Sequence, residues 1–211
     1  MPLTGLLGGS FNPAHGGHRR ISLFALNVLG LDEVWWLVSP GNPLKPASGQ
    51  AALPARVASA RRQARRAPIR VTAIERELGT RYTADTLRAM VCRFPRRRFV
   101  WLMGADNLAQ FHRWREWRSI ARAMPIAVID RPGYDAAAMT APAMAWLRRY
   151  RRRAETLRDP ASWSAPALIL LRFDPDDRSS TAIRRNDPEW PASAPAARDG
   201  VTHRLIPAER R

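Results

Sequence analysis

The feature that most constrains the fold is a series of short apolar runs rich in branched and aromatic residues. They lie at Leu3 to Leu7, Glu33 to Val38, Ile69 to Ile74, Phe99 to Met103, Ile126 to Ile129 and Ala167 to Leu171. Each has strand length and shows little polar alternation, as expected of strands buried on both faces. Between them lie stretches long enough for helices: His18 to Leu29, Pro54 to Ala67, Thr83 to Arg93 and Trp114 to Ala123. Strands that alternate with helices imply right-handed crossovers, which predict an α/β, doubly wound Rossmann-like parallel sheet with helices on both faces. If the strand order is 3-2-1-4-5, the first and fourth strands are neighbours, and ligands bind beyond their C-terminal ends.

A chain of 211 residues with 45% hydrophobic content suits one well-buried core, so the expectation is a single domain over 1–211. From about residue 188 a Pro- and Ala-containing tail reads as irregular, with a short strand at Val201 to Ile206. The segment from Pro132 to Pro166 opens on a Pro-Gly turn, includes a basic helical stretch and reads as an insertion or a connecting helix. The formal charge of +17 would ordinarily suggest nucleic acid, whose phosphates are neutralised by basic side chains. Here the basic residues are all Arg except Lys45, and they are spread along the chain, so nucleic acid is not the expected partner. The runs Arg61 to Arg66, Arg96 to Arg98 and Arg148 to Arg153 read as solvated helix ends or faces.

One cysteine, Cys92, excludes an intramolecular disulfide, and no Cys/His cluster has zinc-ligand spacing. The chain opens on an apolar run without a secretory pattern and contains no membrane-spanning stretch, so a cytoplasmic protein is expected, without a membrane partner but compatible with a homo-oligomer.

The densest chemical signal is Gly8-Gly9-Ser10-Phe11-Asn12-Pro13-Ala14-His15-Gly16-Gly17-His18, between the first strand and first helix. Glycines there allow a tight turn and close approach of backbone amides to an anion, backed by the positive end of a helix. It fits neither the Walker A nor the dinucleotide glycine spacing. His15 and His18 are spaced to address one phosphate group. A His-x-x-His metal pair is the competing reading, but His112 and His203 sit in no supporting motif, and no resident metal site is expected.

Gly8 to His18, with Ser179-Ser180-Thr181-Ala182-Ile183-Arg184, closely resembles the two signatures of the nucleotidyltransferase superfamily. Ser39-Pro40-Gly41-Asn42-Pro43-Leu44-Lys45-Pro46, Tyr82-Thr83-Ala84-Asp85-Thr86-Leu87, Trp101 to Leu108 and Phe111 to Trp117 narrow the resemblance to the nicotinate mononucleotide adenylyltransferase family, over residues 3 to about 187. The resemblance implies adenylyl transfer from ATP, accompanied by Mg2+, to nicotinate mononucleotide. Other acceptors used within the superfamily, nicotinamide mononucleotide or phosphopantetheine, are the alternatives. It implies that His15 and His18 are catalytic, and that Gly8, Gly9, Ser10, Phe11, Lys45, Gly104, Asp106, Ser180, Thr181 and Arg184 bind ATP. Thr83, Trp114, Arg115 and Arg131 are implied to bind nicotinate mononucleotide, Trp114 by stacking on the pyridine ring. Trp35, Trp36 and Trp117 read as core. Three departures from the family pattern stand out: Asn12 where many members have Asp, Arg178 before Ser179, and the tail.

Overall fold

The computed structural model describes residues 1–41, 49–129, 135–173, 179–190 and 196–207. Lys45 and Arg131 lie outside them, as does Arg178. In chain order the elements begin β1 (Leu3–Gly9), α1 (Gly16–Leu29), β2 (Glu33–Val38), α2 (Leu53–Ala64), β3 (Ile69–Thr72), α3 (Ile74–Leu78), α4 (Thr83–Arg93) and β4 (Arg98–Gly104). There follow α5 (Ala105–Gln110), a 3-10 turn (Phe111–Arg113), α6 (Trp117–Ala123), β5 (Ile126–Ile129), α7 (Asp135–Thr140) and α8 (Pro142–Leu147). Three 3-10 turns lead to β6 (Leu168–Leu171), then α9 (Ser180–Asn186), β7 (Ala197–Arg198) and β8 (Leu205–Ile206).

The main sheet has the order β3-β2-β1-β4-β5-β6, and every neighbouring pair in it is parallel. The expected order is therefore observed, extended by β6. Both faces are covered. On β2, Val34, Trp36 and Val38 enter the core under α1 and α2, while Trp35 and Leu37 enter the core under α4 to α8. On β4, Val100 and Leu102 take the first side and Phe99, Trp101 and Met103 the second. Successive strand side chains alternate faces, so burial on both sides produces the unbroken apolar runs of the sequence.

α4 spans the residues expected of it, and α1 starts two residues earlier than expected. The stretch from Trp114 is corrected: Glu116 is left-handed (φ 51°), which interrupts the helical path, and α6 starts at Trp117. α2 ends at Ala64, where Arg65 turns extended and Arg66 is left-handed. β3 stops at Thr72, and Ile74 opens α3.

Of the basic runs, Arg148 to Arg153 is exposed at the end of α8 as expected, while Arg96 to Arg98 differs from expectation. Arg97 bonds Glu33 and Thr4 and lies over Trp35, while Arg98 opens β4, so this run feeds a strand. Arg148–Tyr150 is a 3-10 turn, after which Arg151 bridges Leu168 and the Arg152 amide donates to the Leu168 carbonyl at 2.8 Å.

The tail is tied down at residues 197–206. β7 pairs antiparallel with β8, and the Gly200 amide donates to the Val71 carbonyl at 2.9 Å. Asp199, buried, accepts from the Thr72 hydroxyl at 2.9 Å and the Ala73 amide at 2.7 Å through Oδ2. Its Oδ1 accepts from the Val201 and Thr202 amides at 2.8 and 2.9 Å. Ala73, the N-cap of α3, has no capping side chain of its own, and Asp199 supplies the acceptor from the tail.

Candidate active site

The turn after β1 is shaped by what surrounds it. A Cβ at Gly8 would stand 2.5 Å from the rim of the Trp101 indole, so only glycine fits there. Phe11 is left-handed (φ 47°) and its ring is buried, 4.9 Å from the His18 ring and 5.0 Å from Trp36 between centroids. Phe11 therefore braces His18, and only its backbone is placed to meet a ligand.

α1 begins with a capping box built from two histidines. His15 is the N-cap and its Nδ1 accepts the Gly17 amide at 3.2 Å; His18 Nδ1 in turn accepts the His15 amide at 3.2 Å. This reciprocal arrangement satisfies two amides that a helix start leaves without partners. It also fixes the chemistry of the rings, because a nitrogen that accepts an N–H cannot carry a proton. The neutral imidazole then carries its proton on Nε2, which leaves that atom as the donor of each ring. The ring centroids are 4.0 Å apart, so the two donors form one unit.

α9 docks against the same turn. Ser180 Oγ donates to the Pro13 carbonyl at 2.8 Å, and Arg184 donates to the Asn12 carbonyl at 2.6 Å and to Thr181 Oγ1 at 3.3 Å. Ser179 is the N-cap of α9, accepting the Ala182 amide at 3.1 Å. The two stretches, far apart in the sequence, are thereby brought together. Asn12 has a defined role: Nδ2 donates to the Gly49 carbonyl at 3.0 Å and Oδ1 accepts the Ala51 amide at 3.1 Å. A carboxylate could make only the second of these bonds.

Gly104 closes β4 and is the N-cap of α5, with Asp106 in its first turn. Because β1 and β4 are adjacent and parallel, this turn and Gly8 to Phe11 leave the sheet at the same, C-terminal end of the strands. Thr83 opens α4 and Tyr82 is its N-cap. The Arg115 guanidinium lies 4.7 Å from the centre of the Tyr82 ring and within 4.0 Å of Asp85 and 3.7 Å of Glu116. Arg115 and Thr83 thus share one corner, with the Arg charge partly answered by carboxylates. Trp114 is half-buried and set edge-to-face against Phe111 (5.4 Å) and Trp101 (6.4 Å). Trp35, Trp36 and Trp117 are core.

Two residues of this region were not anticipated. Arg56 of α2 is 1% exposed, and its guanidinium donates to the carbonyls of Ala51 (2.7 Å), Ser10 (2.8 Å), Ser39 (2.6 Å) and Pro40 (3.3 Å). Burial lowers its pKa to about 10, opposed by the attraction of Glu75. Glu75 is raised to about 7 by burial, against the opposing effects of a Ser39 hydrogen bond and the Arg56 charge. The available signal was an Arg three residues after Leu53 and next to Val57, on the apolar side of α2. Among the described residues no group of three or more His, Cys, Asp or Glu side chains could hold a metal ion, and no helix is long and apolar enough to cross a membrane.

A doubly wound parallel sheet, a glycine turn at its switch point and paired imidazole donors at the helix behind that turn define a nucleotide-handling α/β protein. Comparison with known proteins agrees. The cytidylyltransferase-like family model matches residues 6–186. A protein of Erythrobacter litoralis (strain HTCC2594), named "probable nicotinate-nucleotide adenylyltransferase", is 69% identical over 98% of this chain and 95% of its own length. One of the same name from Bradyrhizobium sp. (strain ORS 278) is 52% identical over 88% of this chain and 97% of its own. The fold is shared with a Plasmodium falciparum nicotinic acid mononucleotide adenylyltransferase complexed with NaAD, at TM-score 0.64 and 15% identity, over 88% of this chain and 83% of that one. The chain belongs to the cytidylyltransferase-like family and, within it, to the nicotinate-nucleotide adenylyltransferases.

Proposed function

We propose that this chain, acting as one nucleotidyltransferase domain in the cytoplasm, transfers the adenylyl group of ATP to nicotinate mononucleotide. The products are nicotinate adenine dinucleotide and pyrophosphate, a step of NAD biosynthesis. The observation that carries the proposal is the reciprocal cap of His15 and His18, which holds two Nε2–H donors together behind a glycine turn.

The 5′-phosphate oxygen of nicotinate mononucleotide attacks the α-phosphorus of ATP and pyrophosphate leaves in line. One P–O bond forms as another breaks, and no protein group becomes covalently attached. Such transfers depend on positioning and on stabilising charge at the non-bridging oxygens. His15 and His18 donate to the α-phosphate. The turn Gly8 to Phe11, with Lys45, Ser180, Thr181 and Arg184, holds the triphosphate. Gly104 and Asp106 contact the nucleotide across the β1/β4 crevice. Trp114 stacks on the pyridine, and Thr83, Arg115 and Arg131 surround the rest of the acceptor, with Arg115 favouring its carboxylate. Magnesium would accompany ATP as part of that substrate and would neutralise charge on its phosphates.

The test is pyrophosphate release from Mg-ATP with nicotinate mononucleotide, nicotinamide mononucleotide and phosphopantetheine offered in parallel. Release fastest with the nicotinate compound is expected. A preference for phosphopantetheine, or release with none of the three, would overturn the proposal.

A further inference from the structure

Arg56 joins three stretches of chain that sequence keeps apart. Its four carbonyl partners come from the glycine turn (Ser10), the end of β2 (Ser39 and Pro40) and the entrance to α2 (Ala51). A guanidinium has five N–H donors in a rigid plane, and no other side chain could serve four divergent carbonyls from one point. Asn12 adds a second tie between the turn and residues 49–51. Burying a charge on this scale is costly unless it is fully hydrogen-bonded. The four carbonyls meet that requirement, with Glu75 nearby, but an apolar side chain of similar volume would avoid the cost altogether.

What the buried charge achieves is an orientation. The Ser10 carbonyl points toward Arg56, and in a trans peptide the N–H on the other side of the bond points the opposite way. The Phe11 amide is therefore turned away from α2, at a residue whose left-handed backbone is itself unfavourable for an L side chain. Without the guanidinium, rotation of this peptide would bring a carbonyl oxygen round to where the amide stands.

We propose that Arg56 is a positioning residue for adenylyl transfer: by holding the Ser10 carbonyl together with those of Ser39, Pro40 and Ala51, it aims the Phe11 amide at the ATP phosphates. The inference rests on the glycine turn being the triphosphate site. Arg56 touches no substrate and acts through the backbone. It should govern the KM for ATP far more than that for nicotinate mononucleotide, which meets the chain on the side of α4 and Trp114.

Arg56→Lys keeps the charge but loses the planar fork. Its KM for ATP is expected to rise at least tenfold while the KM for nicotinate mononucleotide stays within twofold. Arg97→Ala, at the opposite end of the strands where it bonds Glu33 and Thr4, serves as the stability control, and it should lower the melting temperature while leaving the ATP KM within twofold. Equal movement of both KM values in Arg56→Lys, or of neither, overturns the inference. A measurement on the unaltered protein covers the case in which the variant does not fold. On adding a non-hydrolysable ATP analogue, the Phe11 amide should become protected from hydrogen exchange. Protection within residues 8–18 that omits Phe11 refutes the role of Arg56 alone. No protection anywhere in that stretch removes the triphosphate site, and the inference with it.

Discussion

Replacing Asp199 by alanine tests how the tail is held. The carboxylate accepts four hydrogen bonds, but they are not equivalent. Those from Val201 and Thr202 lie within its own turn, where water can replace the acceptor once the tail loosens. Those from the Thr72 hydroxyl and the Ala73 amide belong to groups 0% and 3% exposed. A buried donor deprived of its acceptor costs about 1–3 kcal/mol, and the charge on the acceptor favours the upper half of that range. Two such donors set the loss at about 4 kcal/mol, a large part of the roughly 5–15 kcal/mol that holds a domain together. For a chain of this size each kcal/mol lowers the melting temperature by about 2–4 °C, so Asp199→Ala should melt about 8–16 °C lower. Asp199→Asn, which retains one acceptor oxygen, should lose about half as much. Circular dichroism melts of the three proteins at one concentration decide the matter. A fall under about 3 °C for the alanine variant, or equal falls for both, would show that the buried donors find other partners.

Further expectations concern the site and its supports. His18→Ala should lower kcat by about a hundredfold or more, through loss of one donor to the α-phosphate, with about 1 kcal/mol lost from the cap; turnover near that of the unaltered enzyme removes His18 from the mechanism. Gly8→Ala drives a methyl group into the rigid Trp101 ring and should destabilise by about 1–3 kcal/mol; if the clash is the cause, Trp101→Leu in the same chain recovers part of the loss in a denaturant titration. Glu75, at about 7 in the fold against an ordinary 4.5, keeps its proton where the unfolded chain has released it. Its contribution therefore falls as pH rises from about 4.5 to 7, by about 3 kcal/mol in all; urea titrations should show Glu75→Gln gaining on the unaltered protein over that window, and parallel curves would refute the shift. Asn12→Asp should cost about 1–2 kcal/mol by setting a carboxylate oxygen against the Gly49 carbonyl, and an unchanged midpoint of unfolding would dispose of that bond.

The central strands were legible because they are buried on both faces: Trp35 and Trp36, side by side in the chain, fill opposite cores, so the run stays apolar from Val34 to Val38. Short elements were not, since α3 has five residues and its capping acceptor lies 126 residues further on, at Asp199. The histidine pair was legible as a motif, but the detail that fixes its tautomers, each Nδ1 accepting a neighbouring amide, exists only in three dimensions. Arg56 belongs to no motif that would set it apart in a chain crowded with arginines. Its four partners are backbone carbonyls, which carry no mark in the sequence.

The ties described at Gly200 and at Arg151 and Arg152 bear on how copies of this molecule behave when crowded. β3 and β6 are the outermost strands of the sheet, and an outer strand with open amides and carbonyls is a template on which another chain can add. At β3 the Gly200 amide already occupies the Val71 carbonyl, approaching so closely that a Cβ there would stand 2.7 Å from that oxygen. At β6 the amide of Arg152 occupies the Leu168 carbonyl. At each rim the chain itself takes up one of the outward-facing carbonyls, and losing the tail would free the one on β3 for another strand.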